Sequence, residues 1–130
     1  MFQSIREFFK KDGNDNVQLP ITEEQLFVLH LDNMVVGELS CRNGLWTFKY
    51  SKVFIYHSNK YYPIVGFPDV NKVYTSETLW PFFQVRIPGL GQPVVKEIIE
   101  SEQIDINNEA ELLKRFGHKT LTNPYVLSVQ

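Results

Sequence analysis

A single cysteine, Cys41, in 130 residues leaves no internal disulfide to form and no cysteine pair at metal-ligand spacing. No apolar run approaches the roughly 20 residues that a membrane-spanning helix requires. At the N-terminus, Arg6, Glu7, Lys10 and Lys11 interrupt what a signal peptide would keep continuously apolar. Net charge is nearly absent as well: the formal value is −2 at pH 7, and the basic residues are scattered. That withholds the electrostatic footprint of a phosphate-backbone binder. Together these absences predict a soluble, cytoplasmic protein without direct nucleic-acid or membrane binding. Catalytic motifs are missing too. Gly89-Leu90-Gly91 lacks the further glycine and the Lys-Ser/Thr of a phosphate loop. The three histidines, among them His30 within a β-rich run, are isolated, and none has a sequence-local Asp, Cys or Ser partner that would identify a catalytic triad. Glu97, Glu100, Glu102 and Asp105 fall on the solvated side of a predicted helix or in its loop. The expectation is a protein that is not an enzyme and uses no cofactor or metal. Internal repeats and low-complexity segments are also lacking.

What the chain does have is enough apolar and aromatic content to bury a core at the size of one domain. Phe2, Ile5, Phe8 and Phe9 recur at helical spacing, so residues 1–11 predict a short amphipathic helix. Asp12-Gly13-Asn14-Asp15-Asn16 ends it, and a linker follows to Pro20. Because an isolated helix of that length is marginal in water, its apolar face must dock on the domain, a partner or another copy. The organisation is then residues 1–20 as N-terminal helix and linker, and residues 21–130 as the domain.

Within the domain, residues 27–31 and 34–39 are β-rich runs around Asp32-Asn33, a hairpin pattern. Gly37 in the second run predicts a bulge or a close backbone approach. After the Asn43-Gly44 turn, residues 45–50 alternate, placing Trp46, Phe48 and Tyr50 on one core-facing side. Residues 53–56 fit either a strand or a helical turn. Residues 61–68 predict an edge strand, since Pro63 and Pro68 lack the donor that a central strand needs. Residues 69–78 are polar and predict an exposed loop. Further on, Pro93 suits a first helical position, and Val94, Val95, Ile98 and Ile99 mark one helical face. Asn108 predicts the N-cap of a second helix, which carries Leu112, Leu113 and Phe116 and stops at Gly117. The tail, residues 121–127, predicts an extended apolar segment that packs down. These signals define a small α+β fold: a bent antiparallel sheet of about five short strands with two C-terminal helices, preceded by the extra amphipathic helix.

Residues 79–93 join the two halves. Their rings, Trp80, Phe82 and Phe83, flank Pro81, and Arg86 sits between apolar neighbours before a Pro/Gly elbow. The stretch is too apolar for an ordinary loop and too broken for a long helix or central strand. Trp80 is either core or a binding anchor, a role in which tryptophan is enriched. Phe82 and Phe83 must divide between core and surface, since neighbours cannot share one direction. Arg86 either reaches a partner's carboxylate bidentately or ties down the loop.

From Phe27 onward the order of features resembles the N-terminal subdomain of the HipA-family serine/threonine kinases, toxins of bacterial toxin–antitoxin systems. The matching features are Val36-Gly37-Glu38-Leu39, residues 44–50, Pro81-Phe82-Phe83, the Pro88-Gly89 elbow, and Leu112-Leu113-Lys114-Arg115-Phe116-Gly117. They cover about four-fifths of the chain in family order. One departure is the elbow itself: Ile87-Pro88-Gly89 stands where the family commonly has Leu-Pro-Glu-Gly, so no role of that Glu carries over. The chain stops where a full-length member would continue into its kinase core. The resemblance therefore implies a free-standing subdomain, as in the three-gene HipBST systems, where HipS accompanies a shorter kinase, HipT, and a DNA-binding protein, HipB. It implies an antitoxin that neutralises a HipT-like serine/threonine kinase by protein–protein contact through Trp80, Phe82, Phe83 and Arg86, with a HipB-like protein as a third member of the complex. Two alternatives stand beside this: a structural subunit that completes the kinase fold, and an adaptor linking the kinase to a repressor.

Overall fold

The structure is a computed structural model and describes residues 24–130. The expected N-terminal helix and linker, residues 1–20, lie outside the described residues. Strands β1 (Glu24–Leu31) and β2 (Met34–Arg42) form the expected hairpin. Asp32 takes a φ of 54° at its turn, a left-handed value that Asx residues reach more cheaply than most. The pairing runs Leu29 to Gly37 and then His30 to Val35, so Val36 is the extra residue of a bulge that bends β2. Gly37, next to it, also meets the other expectation for that position. A Cβ there would lie 2.7 Å from both the Lys49 carbonyl oxygen and the Phe48 ring. Gly37→Ala is therefore expected to cost about 1–3 kcal/mol through overpacking, read as a fall in the urea midpoint at unchanged slope.

Asn43 and Gly44 both have positive φ, 52° and 79°, as a tight hairpin turn with the right twist demands. Strand β3 (Leu45–Tyr50) follows and pairs with β2. Its alternation places Trp46, Phe48 and Tyr50 in the core. The undecided run at 53–56 is helix α1 (Lys52–Tyr56), whose start is fixed by Ser51 Oγ accepting from the Phe54 N–H at 3.0 Å.

The edge strand falls elsewhere than the sequence predicts. Residues 61–68 are irregular, and the edge is β4 (Tyr74–Ser76), inside the expected polar loop, paired with β3. Pro63 and Pro68 withhold donors and Gly66 turns at a φ of 96°, so this segment cannot hold a ladder. It sends Ile64 and Phe67 into the core instead. On the far side, the tail becomes β5 (Val126–Val129), antiparallel to β1, which gives the sheet order β4-β3-β2-β1-β5.

The connection between sheet and helices contains α2 (Pro81–Gln84); then come α3 (Pro93–Glu102) and α4 (Glu109–Phe116). Both C-terminal helices start as their sequences predict. Pro93 occupies the first turn of α3, and Asn108 Oδ1 accepts from the Glu111 N–H at 3.1 Å. Glu111 reaches back to the Asp105 N–H rather than to the cap residue. Val94 is exposed, leaving Val95 and Ile99 to pack against Leu112. The architecture is thus α+β, an antiparallel five-stranded sheet with two C-terminal helices and two short extra ones. Its main core lies on one side of the sheet, where the Phe48 ring meets Phe67 at 4.6 Å, Tyr50 at 5.2 Å and Phe83 at 5.7 Å between centroids. Among the described residues no helix is long and apolar enough to cross a membrane.

Candidate functional site

Trp80 stands immediately before α2 in extended conformation, and Pro81 at the first helical position fixes the turn that follows it. One helical turn then distributes the side chains. Phe83 faces inward and is fully buried, while Phe82 lies at the core margin, edge-on to Tyr125 at 5.6 Å and to Phe83 at 5.1 Å. Trp80 is half-buried with its ring edge-on to Phe67 at 5.1 Å. Val85 points out to solvent.

Arg86 is only 3 % exposed. Its Nη1 donates to the carbonyls of Gly117 and His118 at 2.9 and 3.2 Å. Its Nη2 donates to Asn123 Oδ1 at 3.2 Å and to the Tyr125 carbonyl at 2.9 Å. The guanidinium therefore ties the elbow to the connection between α4 and β5, with carbonyl dipoles in place of a carboxylate. Burial pulls its pKa down to about 10. Phe83 and Arg86 both lie inside, one as core and the other as a staple, which are the inward alternatives of their sequence readings. Of the four residues singled out in the sequence, only Trp80 and Phe82 keep part of their surface.

The 61–68 segment carries surface that sequence reasoning missed. Tyr62 and Val65, 92 % and 88 % exposed, sit on the segment whose Phe67 supports Trp80. The signal was there in Tyr61-Tyr62-Pro63-Ile64-Val65-Gly66. Read as an edge strand, it promised alternation; as irregular backbone, it presents consecutive apolar groups outward. This segment is held by one hydroxyl. Tyr50 Oη donates to the Phe67 carbonyl at 2.7 Å and accepts from the Ile64 N–H at 2.9 Å. Tyr50→Phe leaves both backbone groups unpaired and is expected to cost about 1–3 kcal/mol.

The same hydroxyl predicts a pH effect. Burial pushes the Tyr50 pKa up from 10 to about 12. Between those values the unfolded chain gives up a proton that the folded chain retains, so this side chain's contribution to stability is lost as pH rises from 10 toward 12. Arg86, whose pKa burial lowers to about 10, acts with the opposite sign in an overlapping window. Denaturation profiles of wild type and Tyr50→Phe, subtracted across that range, isolate the tyrosine. Parallel profiles would refute its role.

A hollow of about 1120 Å³ elsewhere on the surface is lined by Glu24, Glu77, Asp105, Glu109 and Glu111, with Lys114 the one cation among the described residues that line it. That lining would repel a phosphate backbone. Among the described residues no group of three His, Cys, Asp or Glu side chains is placed to hold a metal ion.

A small antiparallel sheet, backed by helices and carrying an apolar elbow and an exposed aromatic segment, defines an α+β domain of the class expected from the sequence. The family model for the HipA N-terminal domain matches residues 28–121, more than two thirds of the chain. The chain belongs to that family, which sets it in the toxin–antitoxin context of HipA. A comparison with curated proteins finds no match.

Proposed function

We propose that this chain is a non-enzymatic antitoxin that binds a separate HipA-like serine/threonine kinase and neutralises it. One observation carries the reading: Tyr62 and Val65 lie almost wholly in solvent on the segment whose Phe67 packs against the half-buried Trp80, and the Tyr50 hydroxyl holds the backbone of that segment at Ile64 and Phe67. Apolar groups held in fixed positions lose little entropy when a partner covers them, and contiguous exposed apolar surface marks contact sites. Family membership supports the class of partner, because a domain that packs against a kinase core in one chain needs the same complementary surface in trans. Binding of this kind uses no cofactor. A HipB-like DNA-binding protein completes the proposed complex and supplies whatever DNA contact it makes.

The test is co-purification with the kinase, then a phosphorylation assay with and without this chain. Loss of kinase activity on complex formation is the expected result. A tight complex with unchanged or raised activity would overturn the antitoxin reading in favour of a structural subunit.

A further inference from the structure

The sheet has a second face that the proposed function leaves unused. The alternation that buries Phe27, Leu29, Leu39 and Phe48 puts Leu26, Val28 and His30 of β1 on the other side. Strands that face water on one side normally carry polar residues there. Here the outer side is partly apolar, and among the described residues the helix that reaches its cleft is α1, through Lys52 and Ile55. A cleft of about 410 Å³ opens on it, lined by Val28, Val35, Val70 and Val73 together with Lys49 and Lys52.

We propose that the apolar stretch of this chain's own N-terminus, Phe2, Ile5, Phe8 and Phe9, docks across that outer face at the valine cleft. Three observations converge on this occupant. Residues 1–11 carry apolar side chains at helical spacing, and a helix of that length does not stand alone in water. Residues 12–23, which separate the stretch from β1, reach up to about 40 Å when extended, at about 3.3–3.6 Å per residue. β1 itself is about 27 Å long at about 3.3 Å per residue, so the stretch can return over the strand that it precedes. The intervening Asp12 and Asp15 are opposite in charge to Lys52 and Lys72 of the cleft lining, where Lys49 is already paired with Glu38 at 3.8 Å. Tethering adds the last element: a segment joined by a short linker meets its own face at millimolar effective concentration, well above that of a second copy in dilute solution. This inference does not rest on the kinase partner.

Paramagnetic relaxation tests it on the full chain. A spin label on Ser4→Cys, with Cys41→Ala removing the native thiol, is expected to quench the amide signals of Val28, Val35, Lys49 and Val73. Those of Lys96, Glu97 and Lys114 are expected to keep their intensity. Quenching on the helical side, or spread evenly over the domain, would overturn the proposal. So would persistence of the pattern when the label sits on an isotope-silent copy mixed with an unlabelled, isotope-enriched one, since the occupant would then be a second chain. A companion measurement needs no cysteine. The double variant Phe8→Asp, Phe9→Asp is expected to shift the signals of the same four residues relative to wild type, whereas unchanged shifts there would refute the docking.

Discussion

Arg86→Ala is expected to remove roughly 3–5 kcal/mol of folding stability, as much as the loss of a large core ring. The magnitude follows from what is left behind. Three backbone carbonyls, of Gly117, His118 and Tyr125, and the Asn123 side-chain oxygen lose their donors together. An orphaned buried acceptor costs about 1–3 kcal/mol, and partial access of water to the exposed margin of the elbow holds the total below the sum. Domains of this size have about 5–15 kcal/mol in all, so the variant should lie near the edge of folding. Conservative replacements separate the causes. Arg86→Lys keeps the charge, but one ammonium cannot fan out to four acceptors on two sides, and an intermediate loss is expected. Arg86→Met keeps volume without any donor and should fall close to alanine. Urea denaturation of the series gives the order wild type, Lys, then Met and Ala. A loss below about 1 kcal/mol for Met would show that the acceptors find other partners and that the staple is dispensable.

The same residue shows where sequence reading stops. Arg86 was visible as an odd cation in an apolar stretch, yet its acceptors lie 31 to 39 positions further on. Most are backbone carbonyls, which have no sequence signature, so its direction was undetermined. The β1-β2-β3 meander was legible for the opposite reason. Its alternation is regular, and its turns use Asp32, Asn43 and Gly44, residues whose local chemistry selects positive φ. The starts of α3 and α4 were legible too, through Pro93 and Asn108. The strand at 74–76 was not: three residues with no apolar alternation gain their place by pairing with β3 and by Tyr74 meeting the Phe67 ring edge-on at 5.0 Å. Tertiary contact overrides local propensity in so short a strand. β5 was readable as an extended, packed tail, but not as the neighbour of β1, a pairing that closes nearly the whole domain. At the elbow, the sequence supplied the stretch and its rings. Only the packing decides which ring is core: Phe83 lies against Phe48 and Phe67, Phe82 against Tyr125 at the margin.

The second large effect concerns binding. Trp80→Ala is expected to weaken the complex with the kinase by about 2–4 kcal/mol, the range for a central aromatic anchor. At about 1.4 kcal/mol per decade this is roughly 30- to 1000-fold in Kd. The domain should survive the substitution. Trp80 sits at the margin of the core and leans on Phe67, whereas Leu79 and Phe83 on either side are fully enclosed and carry the packing of α2. Circular dichroism should therefore match wild type while calorimetry reports the weaker complex. Phe83→Ala is the contrasting case: its ring is buried against Phe48 and Phe67, so it should lose about 3–5 kcal/mol of stability. Any binding defect it shows would follow unfolding. If Trp80→Ala binds with wild-type affinity and keeps its fold, the anchor moves to Tyr62 and Val65, and Tyr62→Ala becomes the substitution that must weaken the complex. If instead Trp80→Ala unfolds, its half-buried ring belongs to the core and the interface lies on the 61–68 segment alone. Each outcome assigns the ring of Trp80 to one side of the boundary between fold and partner, because the two measurements respond to different surfaces of the same side chain.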